Sequence, residues 1–196
     1  MIVLATFREP DSIVIAADSL RTEDDGSKSS VQKLWLLRIP PIAWGFSGDS
    51  EVGLPFTDWL TEQEWPETLC WSDFIERTSE QLAALNSQVS ADLRAEVLLV
   101  ASMDSALQMV HLPKDPDAAY SEKTDCPFFL GSGKYAALTK YADLVSRGRT
   151  QDLATFVQAV EHAATTANMC GLSVQAVRVS ADGAFPVDLG LQGVIQ

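Results

Sequence analysis

Apolar runs and their breaks divide the chain into alternating blocks of strand-like and helix-like pattern. Ile2 to Phe7 is apolar and partly β-branched, Glu9-Pro10-Asp11-Ser12 is a turn, and Ile13 to Ala17 is a second apolar run. Two such runs around a short turn predict a hairpin buried on both faces. Thr22 to Ser30 is polar and reads as a loop, Val31 to Ile39 as a strand, Pro40-Pro41 as a turn and Ile42 to Ser47 as a fourth strand. The period then changes. Val52, Leu54, Phe56, Trp59 and Leu60 recur near helical spacing between Ser50 and Gln63, and Ser72 is placed to cap a longer helix running to about Val89. Glu96 to Met103 and Leu107 to Leu112 predict a second hairpin turned at Asp104-Ser105, followed by a loop over Pro113 to Asp125. Cys126 to Leu130 is a short strand ending at Gly131-Ser132-Gly133. Helices follow over about Tyr135 to Ser146 and Leu153 to Met169, the second ending at Gly171. Val174 to Val179 and Phe185 to Val187 are closing strands around Asp182-Gly183.

Strands, two helices, strands, two helices, strands is not the βαβ alternation of a parallel sheet. The economical packing is an α+β fold in which two antiparallel sheets lie face to face between helix pairs, a four-layer α-β-β-α sandwich. The 196 residues suit one domain over 1–196, with no internal repeat, linker or low-complexity segment.

Composition narrows the function classes. There are 14 lysines and arginines against 27 aspartates and glutamates, a net charge of −13 that repels nucleic-acid phosphates and anionic membranes. The acidity is spread along the chain, as on a solvated surface. Cys70, Cys126 and Cys170 form no C-x-x-C pair, and His111 and His162 are far apart, so neither a metal site nor a cofactor is expected. Few cysteines and a first stretch too short and too quickly interrupted for a signal peptide or span suggest a cytoplasmic protein.

Several segments resemble the proteasome branch of the N-terminal nucleophile hydrolases. Ile13-Val14-Ile15-Ala16-Ala17-Asp18-Ser19-Leu20-Arg21-Thr22 resembles that family's second strand, with its terminal aspartate and nearby threonine. Val31-Gln32-Lys33-Leu34 resembles its lysine-bearing strand, Gly45-Phe46-Ser47-Gly48-Asp49 the turn into its first helix, and Phe128-Phe129-Leu130-Gly131-Ser132-Gly133 its strand into a G-S-G turn. Each motif is weak alone. Their order along almost the whole chain is more specific, and proteasome β subunits and the peptidase ring of bacterial HslUV are the comparisons. In that family an N-terminal threonine hydroxyl attacks the peptide carbonyl with its own α-amine as base. The resemblance implies that Lys33 takes the lysine role and Asp18 the aspartate role. It likewise implies that the Gly48 amide serves the oxyanion, Ser132 supports the terminal residue, and Thr22 marks where substrate backbone would lie. It also implies a homo-oligomer, with rings of six or seven subunits, and a possible regulatory ATPase or paralogous partner.

Two departures stand against that chemistry. The opening Met1-Ile2-Val3 resembles the family's opening with its threonine missing, and neither Met1 nor Ile2 carries a nucleophile. Thr6 would serve only after a cut following Ala5, within the first strand. Near the C-terminus, Ala167 stands where the family has an aspartate before an S-G-G-type segment, here Cys170-Gly171-Leu172-Ser173. The leading expectation is a non-catalytic scaffold or binding homologue in which Asp18 and Lys33 form a structural ion pair. The alternatives are a threonine-type peptidase or amidase with an unusual or processed terminus, and a module that binds a small anion or peptide carboxylate near Lys33. The five tryptophans, Trp35, Trp44, Trp59, Trp65 and Trp71, are expected to pack in the core or at an interface.

Overall fold

The structure is a computed structural model that describes residues 3–22, 28–66, 69–166 and 174–188, with the backbone alone at 20–22 and 28. Met1, Ala167 and the segment 170–173 lie outside the described residues. The first sheet is built from β1 (Leu4–Arg8), β2 (Ser12–Asp18), β10 (Phe128–Leu130), β11 (Val174–Ser180) and β12 (Gly183–Pro186), in the order β10-β1-β2-β11-β12. The second contains β5 (Trp35–Leu37), β6 (Ile42–Gly48), β7 (Ala95–Met103), β8 (Ala106–Leu112) and β9 (Ser121–Glu122), in sequence order. Every strand pair in both is antiparallel. Helices α1 (Ser50–Glu62) and α2 (Trp71–Ser87) follow the second sheet's first two strands, and α3 (Lys134–Ser146) and α4 (Leu153–Thr166) follow β10.

Side-chain alternation along the strands produces the layering. Ile13, Ile15 and Ala17 of β2 join Ala43, Leu98, Val100, Val177 and Val179 in a cluster between the sheets. Val14 and Ala16, one position out of step, face Phe156, Val160 and Ala163 of α4. Trp44, Val97 and Leu99 face Val52, Phe56, Phe74 and Ile75 of α1 and α2 on the far side. Four layers therefore stack as α3/α4, first sheet, second sheet, α1/α2, which is the expected sandwich. All five tryptophans belong to the cluster between the second sheet and its helices, two of them buried and three packed against it. Among the described residues no helix is long and apolar enough to cross a membrane.

Four local expectations are corrected. Thr22 to Ser30 is not all loop, because β3 (Leu20–Thr22) and β4 (Lys28–Ser30) pair as a small separate ribbon. Val31 to Ile39 is not one strand. Only Trp35–Leu37 pairs with β6, and 31–34 is irregular because its backbone groups bond elsewhere: Val31 N–H to the Ser19 carbonyl and Lys33 N–H to the Gln175 side chain. The loop expected over Pro113 to Asp125 includes β9, which pairs with the edge of β8.

Ser72 does not cap α2, which starts one residue earlier with Cys70 at the cap position and no capping side chain of its own. The Trp71 N–H is instead satisfied from outside by Asp104 Oδ2 at 2.8 Å, from the tip of the β7-β8 hairpin. Asp104 has φ 52°, a left-handed conformation that aspartate and asparagine tolerate better than alanine. Asp104→Ala should thus lose both the cap and the turn preference, about 1–2 kcal/mol, and Asp104→Asn about half that or less. Urea unfolding midpoints of the two variants check the order.

A pH dependence arises at the β1-β2 turn. Partial burial pushes the Glu9 carboxyl up, but the hydrogen bonds from Ser12 and Arg178 and the guanidinium charge outweigh it and hold the group below its ordinary 4.5. Arg178 grips it with two donors, Nε to Oε2 at 2.9 Å and Nη2 to Oε1 at 3.2 Å. A lowered folded value stabilises the native state above the unfolded-state value, and that stabilisation is lost as pH falls through the folded value. The stability gap between wild type and Glu9→Gln should therefore be widest near neutrality and close below the ordinary carboxylate range, as read by thermal melts across pH.

Candidate functional site

The N-terminal end of β1 and the C-terminal end of β2 meet where the first sheet ends. Register places Leu4 opposite Ala17, so Val3 and Asp18 come next to each other just past the last pair. Asp18 is 1% exposed, and both carboxylate oxygens are engaged. Oδ1 accepts from the Val3 N–H at 2.8 Å, and Oδ2 accepts from Lys33 Nζ at 2.6 Å. Lys33 is itself buried at 6% exposure, so the ion pair lies largely out of water. An ammonium and a carboxylate can be buried this way only in contact, because either alone would carry a desolvation cost of several kcal/mol. With its oxygens committed to a backbone amide and an ammonium, Asp18 orients and neutralises; it is not arranged as an acid or base.

Lys33 lies on irregular chain, and three neighbours hold that chain in place. The Gln175 side chain reaches across from β11, accepting from Lys33 N–H at 2.8 Å and donating from Nε2 to the Val31 carbonyl at 2.8 Å. Gly45 of β6 runs directly beneath: a Cβ there would stand 2.7 Å from the Lys33 carbonyl oxygen and 2.6 Å from a Leu4 methyl. Ser19, which is buried, accepts from Val31 N–H at 2.7 Å. The resemblance drew attention to Asp18 and Lys33 and missed Gln175. The available signal was alternation, since Gln175 stands in step with Val177 and Val179, a polar residue on an otherwise apolar inter-sheet face.

The remaining candidates are placed as follows. Leu4 pairs with Leu130 as well as Ala17, so the turn Gly131-Ser132-Gly133 emerges at the same sheet end as the ion pair. Ser132 is exposed there, one residue before Gly133, which caps α3. Gly48 ends β6 opposite Ala95, three residues beyond Gly45, about 10 Å at the strand rise. Its φ of 125° and a Cβ position 2.3 Å from the Arg94 carbonyl oxygen require glycine at that turn whatever else the amide does. Thr22 ends β3 opposite Lys28, with its side chain outside the described residues. Thr6 is fully buried mid-strand, its hydroxyl donating to Met109 Sδ at 2.7 Å.

The sandwich has a counterpart among solved structures. Anbu (ancestral beta-subunit) from Yersinia bercovieri superposes with a TM-score of 0.72 over 96% of this chain and 87% of its own, at 16% sequence identity. The chain has a proteasome-like fold. No protein-family model matches it, and no curated protein matches it by sequence. At 16% identity the likeness concerns architecture and says nothing by itself about which residues act.

Proposed function

We propose that the chain is a proteasome-like subunit with an electrostatically organised cleft and no attacking group, serving as a scaffold or binding homologue. One observation carries the reading. The buried Lys33–Asp18 pair is anchored to the backbone at Val3, and the two residues leading up to Val3 are Met1 and Ile2. A thioether and an alkyl side chain offer no hydroxyl or thiol to that ammonium. This holds for those positions whatever precedes them. Thr6, the one early hydroxyl, is committed to Met109 in the core. The ion pair needs no catalytic role to persist, since breaking a buried pair by removing one partner is costly by itself. The likeness to the fold of an ancestral β-subunit supports the subunit part of the reading; a homo-oligomer acting in the cytoplasm belongs to the same proposal.

Turnover of fluorogenic peptides and labelling by electrophilic threonine probes test it, with intact mass recording the first residue. The expected result is neither turnover nor adduct. Turnover lost on Lys33→Ala would overturn the reading and restore the peptidase. Stabilisation by a carboxylate or small anion that Lys33→Ala removes would move the function to binding at the cleft itself.

A further inference from the structure

The α1/α2 layer is strongly acidic, whereas the α3/α4 layer is close to neutral, with four cations against three acids from Lys134 to Thr166, and its cations gather on α3 and the turn after it. From Asp49 to Glu80, the stretch that forms α1 and most of α2, the chain has nine acids and one cation, Arg77. From Lys134 to Arg149, which forms α3 and the turn after it, there are four cations and one acid, Asp143. In a protein of net charge −13, general electrostatics disfavours self-association, so a contact between copies has to bring the few concentrated cations onto acids.

Each layer also has shape and apolar surface to match. On α2, Asp73, Glu76 and Glu80 line an open groove whose other edge is Pro66 and Leu69. The groove's cation, Arg77, lies 5.3 Å from the Trp65 ring centroid. The acids recur at i, i+3 and i+7, one face over two turns, about 10 Å long. On α3, Tyr135 is 72% exposed and Leu138 50%, large apolar side chains on the outward face of a helix whose Ala137 and Tyr141 are buried. Lys134 lies 5.1 Å from the Tyr135 ring, and Lys140 follows six residues on, about 9 Å along the axis. An apolar stripe flanked by ammonium groups thus has the length and chemistry of an acid-lined groove with an apolar edge.

We propose that the α3 face of one copy docks into the α2 groove of a second copy, a head-to-tail contact. Because α1/α2 and α3/α4 are opposite outer layers of the sandwich, one copy presents both halves and uses each with a different neighbour. Such a heterologous contact closes only if successive copies rotate into a ring, and otherwise continues as a stack. The proposal rests on the homo-oligomer reading and specifies its surface.

Two charge-reversal variants test it: Leu138→Glu with Lys140→Glu on α3, and Glu76→Lys with Glu80→Lys on α2. All four positions are away from the buried clusters, and circular dichroism and melting confirm folding. Sedimentation of wild type should show association that weakens from about 0.05 M to 0.5 M salt, as screening shortens. Each variant alone should associate at least about tenfold more weakly, because like charges then meet. An equimolar mixture should regain association, since the intact α2 groove of one variant meets the intact α3 face of the other, and the reversed α3 face and reversed groove also carry opposite charges. Association unchanged in both variants would overturn the proposal and leave the homo-oligomer intact. Loss in the α3 variant without rescue on mixing would mean that α3 packs on itself, and loss in the α2 variant alone that the groove takes another surface; either overturns it. A wild type monomeric at all concentrations and salts would remove the homo-oligomer reading as well.

Discussion

Asp18→Ala is expected to be among the most damaging single substitutions in this chain, at about 3–5 kcal/mol. The substitution removes two acceptors at once. Lys33 Nζ loses its carboxylate at 2.6 Å while staying buried, and the Val3 N–H loses its partner at 2.8 Å. Loss of the carboxylate from a buried ammonium dominates the cost; the Val3 amide adds the smaller penalty of an unmade hydrogen bond. For a chain of this length the loss corresponds to a fall in Tm of roughly 6–20 °C. Lys33→Ala should cost a similar amount by taking the ammonium away from a buried carboxylate. The double change, with Lys33→Met and Asp18→Leu, should recover much of the loss, since replacing a buried pair by apolar side chains is often neutral. Thermal and urea unfolding of the three variants decide it. A loss below about 1 kcal/mol in both single variants would show that the pair is not held as described and would remove the structural reason for its presence.

The sandwich was legible because its signals are periodic and long. Runs such as Ile13 to Ala17 and Glu96 to Met103 cannot hide their apolar faces, and helices such as α4 repeat buried positions at Phe156, Ala159, Val160 and Ala163. What escaped was short or non-local. The ribbon β3-β4 has three residues a side, too few for alternation to show. The stretch 31–34 reads as a strand by composition, yet its amides are taken by Ser19 and Gln175, partners 12 and 142 residues away. The cap of α2 is supplied by Asp104, 33 residues on. At the site, the resemblance picked out the two charges, and Asp18 and Lys33 do meet. The groups that hold Lys33 in place are a glutamine and a glycine: alternation marks Gln175 as a polar residue on an apolar face, but only register sets either of them beside Lys33.

Gly45 is where that dependence is most exposed. Gly45→Ala should destabilise the fold by about 3 kcal/mol and disorganise the ion pair, although the substitution touches neither charge. The added methyl group would stand 2.6 Å from a Leu4 methyl and 2.7 Å from the Lys33 carbonyl oxygen. Leu4 is fully buried between Ala17 and Leu130 on the neighbouring strands, so its side chain has little room to retreat. The Lys33 carbonyl belongs to irregular chain with no ladder to hold it, so that segment moves first, stretching the bonds from Lys33 N–H to Gln175 and from Nζ to Asp18. A double-mutant cycle separates this from simple overpacking. If Gly45→Ala displaces the Lys33 segment, Lys33→Ala costs much less in the Gly45→Ala background than in wild type, because the pair is already weakened. Additive losses would show that the strain is absorbed at Leu4 and that the ion pair is positioned independently of β6.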